Sequence, residues 1–88
     1  MTFSEFGRRV EENANRGTDH GTAPPMFVVG GGVKGGMYGD HPSLTDLDYG
    51  TLKWHTDFRS VYATVLERWL DVPASAVLGD SYSSLKFI

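Results

Sequence analysis

An acid and an imidazole stand side by side in the segment Gly17-Thr18-Asp19-His20-Gly21. Carboxylate oxygens and imidazole nitrogens are ligands that zinc, manganese and iron accept, so Asp19 and His20 are candidate metal ligands. Two prolines and the apolar run Met26–Val29 follow, so the polar pair lies close to a segment of strand length. The alternative is a turn in which Asp19 bonds to the backbone and His20 is solvated.

The other polar motifs are weaker signals. The run Gly30-Gly31-Gly32-Val33-Lys34-Gly35 matches the dinucleotide pattern G-x-G-x-x-G, but the Gly- and Pro-rich residues after it do not predict the required helix. His41 precedes a proline and His55 precedes a helix cap, and both are interpreted as loop residues. No G-x-S-x-G pattern surrounds a serine, so a serine hydrolase is not indicated. Arg8 and Arg9 suit either an anionic substrate or a solvated helix face.

Composition limits the classes of function. The 88 residues carry a net charge of −3, and no basic patch is present, so a nucleic-acid partner is not expected. There is no cysteine, which excludes a disulfide scaffold and Cys-based zinc sites. No apolar run approaches the ~20 residues of a membrane span. A single small core or part of a larger domain is the expected organisation.

The local patterns predict a few elements that would position these residues. Ser4 is placed to cap a short helix carrying Phe6 and Val10 on one face, which fades before Gly17. Met26–Val29 is predicted to be a fully buried strand of a parallel sheet, although the chain offers no convincing neighbours for it.

The strongest helical pattern covers Asp57–Leu70. Thr56 or Asp57 is predicted to cap its start, and Pro73 ends it. The apolar side chains form one wide stripe, made of Phe58, Val61, Tyr62, Val65, Leu66, Trp69 and Leu70. Such a stripe is expected to pack against a sheet.

These residues together resemble the C-terminal part of the alkaline phosphatase/sulfatase superfamily. The likeness is greatest to a family of exported bacterial proteins of unknown function within that superfamily. The resembling segments, short individually but consistent in order and spacing, are Thr2-Phe3-Ser4-Glu5-Phe6-Gly7-Arg8-Arg9, Gly17-Thr18-Asp19-His20-Gly21, Phe27-Val28-Val29-Gly30-Gly31, Val33-Lys34-Gly35-Gly36 and Thr56-Asp57-Phe58-Arg59-Ser60-Val61-Tyr62-Ala63-Thr64-Val65-Leu66.

The resemblance implies a set of site residues. In the superfamily a strand ends in a Ser/Thr-Asp-His-Gly metal loop, and a second histidine ligand, a proline and a strand follow. One alignment of the chain to this pattern keeps a strand directly before the metal loop. It matches Ser4-Glu5-Phe6-Gly7 to the loop and His20 to the second histidine ligand. Glu5 then replaces an aspartate ligand, and Phe6 stands where a histidine is expected. Asp19 is a substitute ligand, and Arg9 would hold an anionic group.

The resemblance also implies a fold and partners. The fold is α/β, a partial alkaline-phosphatase-like fold with a mostly parallel sheet, and residues 1–88 form one partial domain. The cofactor would be a divalent metal, either zinc, manganese or calcium. The partners would be the missing N-terminal part of the parent domain, or a second copy of the chain, and an anionic ester substrate. An exported, periplasmic location is implied.

Three functional hypotheses follow. In the first, the parent hydrolyses phosphate or sulfate monoesters, and this chain is inactive alone because it lacks the catalytic nucleophile. In the second, the metal site has decayed and the protein acts in binding or structure. In the third, the likeness is coincidental and the chain is a small interaction domain, with Met26–Val29 paired on both sides by its own strands.

Overall fold

The computed structural model describes all residues, 1–88, and its contacts divide them into two compact units. Unit 1 comprises Met1–Val29 and Asp40–His55, and unit 2 comprises Gly30–Gly39 and Thr56–Ile88. In chain order the elements are β1 (Gly7–Glu12), β2 (Thr18–Gly21), β3 (Leu47–Asp48), β4 (Thr51–Leu52), α1 (Phe58–Arg68) and α2 (Ala74–Leu78). Neither helix has the length and apolar content that a membrane crossing requires.

The first hairpin of unit 1 is the antiparallel pair of β1 and β2. Gly7 lies opposite Gly21 at its open end, and the register shifts at an irregularity between Arg8 and Glu12. Asn13 closes the turn, because its backbone N–H donates to the carbonyl of Gly17 at 2.8 Å. Asparagine is a common residue at turns.

The second hairpin of unit 1 joins β3 to β4. Its connecting residues, Tyr49 and Gly50, have φ angles of 51° and 82°. Two consecutive positive φ angles are the signature of a tight type I′ turn, which favours glycine at one of the two positions. The Thr22 hydroxyl donates to the carbonyl of Leu52 at 2.9 Å, and this bond ties the second hairpin to the end of the first.

The predicted helix from Ser4 through Val10 is wrong, because Gly7–Glu12 forms strand β1. The Ser4 hydroxyl donates to the carbonyl of Phe6 at 2.7 Å, so it closes a turn rather than capping a helix. The preference for a helix is weak over so short a segment, and pairing with β2 outweighs it.

The prediction of a fully buried strand at Met26–Val29 is also wrong for this chain. The segment joins no sheet, and Phe27 and Val29 are 64% and 89% exposed. It is hydrogen-bonded to Thr2, whose backbone N–H donates to the carbonyl of Phe27 at 2.8 Å. A buried parallel strand needs neighbours on both sides, and residues 1–88 do not supply them.

The long helix of unit 2 confirms the strongest prediction from the sequence. Helix α1 spans Phe58–Arg68, and Asp57 caps it by accepting from the backbone N–H of Arg59 at 2.9 Å. The Arg59 side chain also donates to both carboxylate oxygens of Asp57, from Nε at 3.0 Å and from Nη2 at 2.7 Å. The cap is therefore reinforced by a forked ion pair.

Burial along α1 differs from the predicted stripe. Val61, Ala63 and Thr64 are buried, whereas Phe58 and Trp69 are 56% and 59% exposed. The helix is therefore covered at its centre and open at both ends. Outside α1, the buried apolar side chains of the core are those of Ala74 and Phe87.

Unit 2 is tied together through Thr64. The Thr64 hydroxyl donates to the carbonyl of Ser60 at 2.7 Å and accepts from the backbone N–H of Leu85 at 2.8 Å. The C-terminal tail, residues 79–88, is also held by the backbone N–H of Lys34, which donates to the carbonyl of Phe87 at 2.7 Å. The tail therefore packs within unit 2 without forming a strand.

Replacing Thr64 with valine should destabilise the chain by about 1–3 kcal/mol, because the part-buried N–H of Leu85 loses its acceptor. Urea titration of the free energy of unfolding measures the effect. Thr45→Val, at an exposed threonine of unit 1, is the control and should change stability little. An unchanged midpoint for Thr64→Val would show that the hydroxyl does not anchor the tail.

The Asp57 cap should make stability depend on pH on the acid side. The side chain of Arg59, followed by its backbone N–H, lowers the pKa of the Asp57 carboxyl by hydrogen bonding. The stabilisation is therefore present above the ordinary carboxyl pKa of about 4, and it is lost as pH falls through the lowered native value. Asp57→Asn should flatten the acid limb in a series of urea titrations. Asp40→Asn, at an exposed site, should leave that limb intact.

Candidate functional site

The candidate site lies at the open end of the β1–β2 hairpin in unit 1. Gly7 pairs with Gly21 there, and a Cβ at Gly7 would collide with the backbone carbonyl of Ala23. A Cβ at Gly21 would lie 2.8 Å from the carbonyl carbon of Arg8. Glycine is required at both positions because the backbones approach too closely for a side chain. This approach brings the Ser4–Phe6 turn beside β2.

The main contact across this end joins Phe6 and His20. Their ring centroids are 3.6 Å apart and their planes differ by 12°, so the rings stack face to face. Phe6 is half-buried and His20 is exposed. The guanidinium carbon of Arg8 lies 5.3 Å from the Phe6 centroid, within cation–π range. The ring nitrogens of His20 lie in the ring plane, and a stack on the ring face leaves their edges uncovered.

Asp19 belongs to a different set of contacts. Its Oδ1 accepts from the side-chain amide of Asn13 at 3.0 Å, and Asn13 Oδ1 accepts from the backbone N–H groups of Asn15 and Gly17 at 3.0 Å each. Asp19 and His20 are consecutive in a strand, and successive strand side chains point to opposite faces. The structure therefore does not bring the two candidate ligands together.

Glu5 lies in the turn before β1, and its side chain is exposed. Phe6, the residue after Glu5, stacks on His20. Glu5 therefore lies at the same end of the hairpin as His20. Across the chain, no three His, Cys, Asp or Glu side chains lie close enough to hold one metal ion. The donors of residues 1–88 therefore do not fit a complete metal site by themselves.

Arg9 reaches the second hairpin rather than the stacked rings. Its Nη2 donates to the carbonyl of Tyr49 at 2.7 Å and sits against Gly50, where a Cβ would collide with it. A guanidinium has five N–H donors, so one bond to a carbonyl leaves others for an anion. Arg8 is also engaged, since its Nη1 donates to the carbonyl of Thr18 at 2.7 Å.

An open groove of about 590 Å³ runs beside the stacked rings within unit 1. Its lining is mainly apolar, with Phe3, Phe6, Phe27, Pro24 and Pro25 among the side chains. Sequence patterns do not reveal this groove, because its walls come from segments far apart in the chain. The roles of Ser4 and Asn13 were not predicted either, although a polar residue shortly before a glycine is a turn signal.

Replacing Gly7 with alanine should disrupt the candidate site. The added methyl group would meet the Ala23 backbone, and overpacking of this kind costs about 1–3 kcal/mol. Urea titration should show the loss, and NMR should show separation of the rings of Phe6 and His20. Gly31→Ala is the matched control, since a Cβ there has nothing within 4 Å. Equal stability of the two variants would contradict the close approach.

Comparison with known proteins places the chain in a family. The family model described as "Protein of unknown function (DUF1501)" matches residues 1–74, which include Glu5, Arg9, Asp19 and His20. No curated protein and no solved structure matches the chain. The match spans well over half of the 88 residues, so it is not confined to one motif. The chain belongs to the DUF1501 family.

Proposed function

We propose that residues 1–88 are the C-terminal part of a metal-dependent phosphate or sulfate monoester hydrolase-like domain and are inactive on their own. In this proposal the domain has an alkaline-phosphatase-like α/β fold. His20 supplies one ligand, and the remaining ligands, the catalytic nucleophile and most of the sheet come from the rest of that domain. The DUF1501 description names no activity. The proposal therefore depends on the sequence resemblance and on the geometry at the open end of the β1–β2 hairpin.

One observation carries the proposal: the Ser4–Phe6 turn lies against His20. The resemblance assigns that turn to one metal loop and His20 to the second histidine ligand, and the two should be neighbours. The hairpin places them together, with the rings of Phe6 and His20 3.6 Å apart. His20 is exposed at this end of the hairpin, so its ring edge is accessible to an ion held partly by other residues.

The exposed apolar side chains also support the proposal that the chain is part of a larger domain. Phe3, Phe27 and Val29 are 75%, 64% and 89% exposed. Clustered exposure of large apolar groups marks surfaces that other protein covers. Thr2 is hydrogen-bonded to Phe27, so the segments that carry Phe3 and Phe27 lie side by side. Further strands of the parent domain would cover them, and self-association of the isolated chain is the alternative.

A second candidate function is a non-catalytic binding or structural role. One observation favours it: no three potential ligands form a group. Asp19 and His20 are also consecutive strand residues, and alternation along a strand directs such side chains to opposite faces. Phe6 stands where the superfamily has a histidine. In this version the hairpin and the apolar groove beside it form a contact surface, and no metal is needed for function.

Metal titration of the 88-residue chain separates the two candidates. If His20 is a ligand, Zn²⁺ or Mn²⁺ should perturb its imidazole NMR signals, and His20→Ala should abolish the weak binding. His55→Ala, at another exposed histidine of unit 1, is the control and should leave binding unchanged. Binding that survives His20→Ala would show that His20 is not a ligand and would favour the non-catalytic candidate.

Ester hydrolysis tests the remaining part of the proposal. The pure chain should not cleave p-nitrophenyl phosphate or p-nitrophenyl sulfate with either metal, because it lacks the catalytic nucleophile and a complete set of metal ligands. A longer protein that contains these residues should cleave one of them, and His20→Ala should lower its kcat/KM. Hydrolysis by the 88-residue chain would show that the site is complete, and inactivity of the longer protein would support the binding role.

A further inference from the structure

The segment that contains the two consecutive prolines has the shape of a strand but belongs to no sheet. Its backbone runs without a turn or bend over residues 23–29. Side-chain exposure alternates residue by residue from Pro25 to Val29, with Met26 and Val28 half-buried and the other three exposed. That alternation has the period of a strand with one face toward the protein.

One edge of this segment is paired and the other is free. The Phe27 backbone N–H donates to the Thr2 hydroxyl at 2.8 Å, and the Phe27 carbonyl accepts from the Thr2 N–H at 2.8 Å. In a strand, the N–H and C=O of one residue point to the same edge, and those of its neighbours point to the opposite edge. The backbone groups of Met26 and Val28 therefore point away from Thr2, and they make no backbone hydrogen bond within the chain. Such an edge is a template for another strand.

Charge distinguishes this edge from the strands of the first hairpin. Strand β1 carries two arginines and two glutamates, and β2 carries an aspartate. Charged side chains on a strand discourage its pairing with other molecules. Residues 23–29 carry no charged side chain. A charged partner would therefore gain no ion pair along this segment, whereas a second copy would meet no like charge there.

The same segment of a second copy fits the free edge in an antiparallel register centred on Phe27. With Phe27 opposite Phe27 of the second copy, Met26 lies opposite Val28 of that copy. Each of these two pairs exchanges both N–H···O bonds, which gives four hydrogen bonds about a twofold axis. The two phenyl rings then form a cross-strand pair on the exposed face, which adds to the stability of the contact.

The two prolines are compatible with this register. Pro25 falls opposite Val29 of the second copy, in a pair where neither residue donates to the other, so its missing N–H costs nothing. Pro24 would occupy a hydrogen-bonded position and has no N–H to donate. The pairing is therefore limited to residues 25–29.

The exposed area limits the strength of this contact. Phe3, Phe27 and Val29 are 75%, 64% and 89% exposed. Covering these side chains in both copies would bury at most on the order of 1,000 Å² of surface, which is the lower limit for a specific interface. The contact therefore suits a weak dimer that forms at high protein concentration.

We propose that Met26–Val29 is a dimer contact of the 88-residue chain, at which a second copy adds an antiparallel strand with Phe27 on the twofold axis. The inference goes beyond the proposed function and does not depend on a metal. In a longer protein with the proposed fold, a strand of the same domain would take this edge instead. The metal titration and the hydrolysis assay therefore fail or succeed independently of it.

Disulfide trapping tests the register. The chain contains no cysteine, so a single introduced cysteine reports on its own position. Phe27→Cys places two thiols on a pair whose Cα atoms are about 4.5 Å apart, a distance that a disulfide spans. Val29→Cys, on the same exposed face, would lie more than about 13 Å from its copy. Mild oxidation should trap Phe27→Cys as a covalent dimer on a non-reducing gel and leave Val29→Cys monomeric.

Two proline variants test the hydrogen bonds. Sedimentation velocity over about 10 µM to 1 mM should show the unmodified chain shifting from monomer toward dimer. Val28→Pro removes an N–H that each copy donates to the other, so it should weaken the dimer at least about tenfold. Val29→Pro removes an N–H outside the pairing and is the matched control, with a dissociation constant unchanged within about threefold. Dispersed amide signals in NMR spectra establish that both variants are folded.

Three results would overturn the inference. A monomer at every concentration would show that the edge does not pair. Equal weakening by the two folded proline variants would show that the hydrogen bonds of Val28 are not part of the contact. Cross-linking of Val29→Cys in place of Phe27→Cys would show that the copies meet in another way.

Discussion

The close approach of two backbones at Gly7 and Gly21 is the constraint on which the candidate site depends. With no Cβ at either position, β1 and β2 pair at their open end, and the carbonyl of Ala23 comes against Gly7. That pairing places Phe6 over His20. It also leaves the groove beside them open, because the Ser4–Phe6 turn is held by a serine hydroxyl and not by a packed helix.

Unit 2 depends on a different kind of interaction, a single buried hydroxyl. Thr64 is fully buried and bonds both to its own helix and to the tail at Leu85. Few apolar side chains are buried around it, and the ends of α1 are exposed. A core this small stabilises a fold only modestly. The hydrogen bonds of Thr64 therefore contribute a larger share of the stability here than they would in a larger domain.

The two candidate functions differ in how they interpret the same geometry. Divergence of Asp19 from His20 argues against a metal site made by this chain alone. It is compatible with a site to which His20 contributes one ligand and other residues the rest. Asp19 then serves the turn, through its bond from Asn13, rather than the ion. Arg9 supports the second hairpin through Tyr49 and retains spare donors, so it fits either candidate.

Local sequence patterns determined those parts of the protein whose interactions are close in the chain. The α1 helix and its Asp57 cap were predictable because a cap bond reaches two residues and an apolar stripe repeats every turn. Residue types also predicted a candidate site in the segment around His20. The tertiary structure decided the rest: Gly7–Glu12 became a strand because β2 pairs with it, and Met26–Val29 stayed outside any sheet because these residues provide no flanking strands. The stack of Phe6 on His20 was likewise beyond local patterns, since it depends on how closely two backbones approach when both paired residues are glycine.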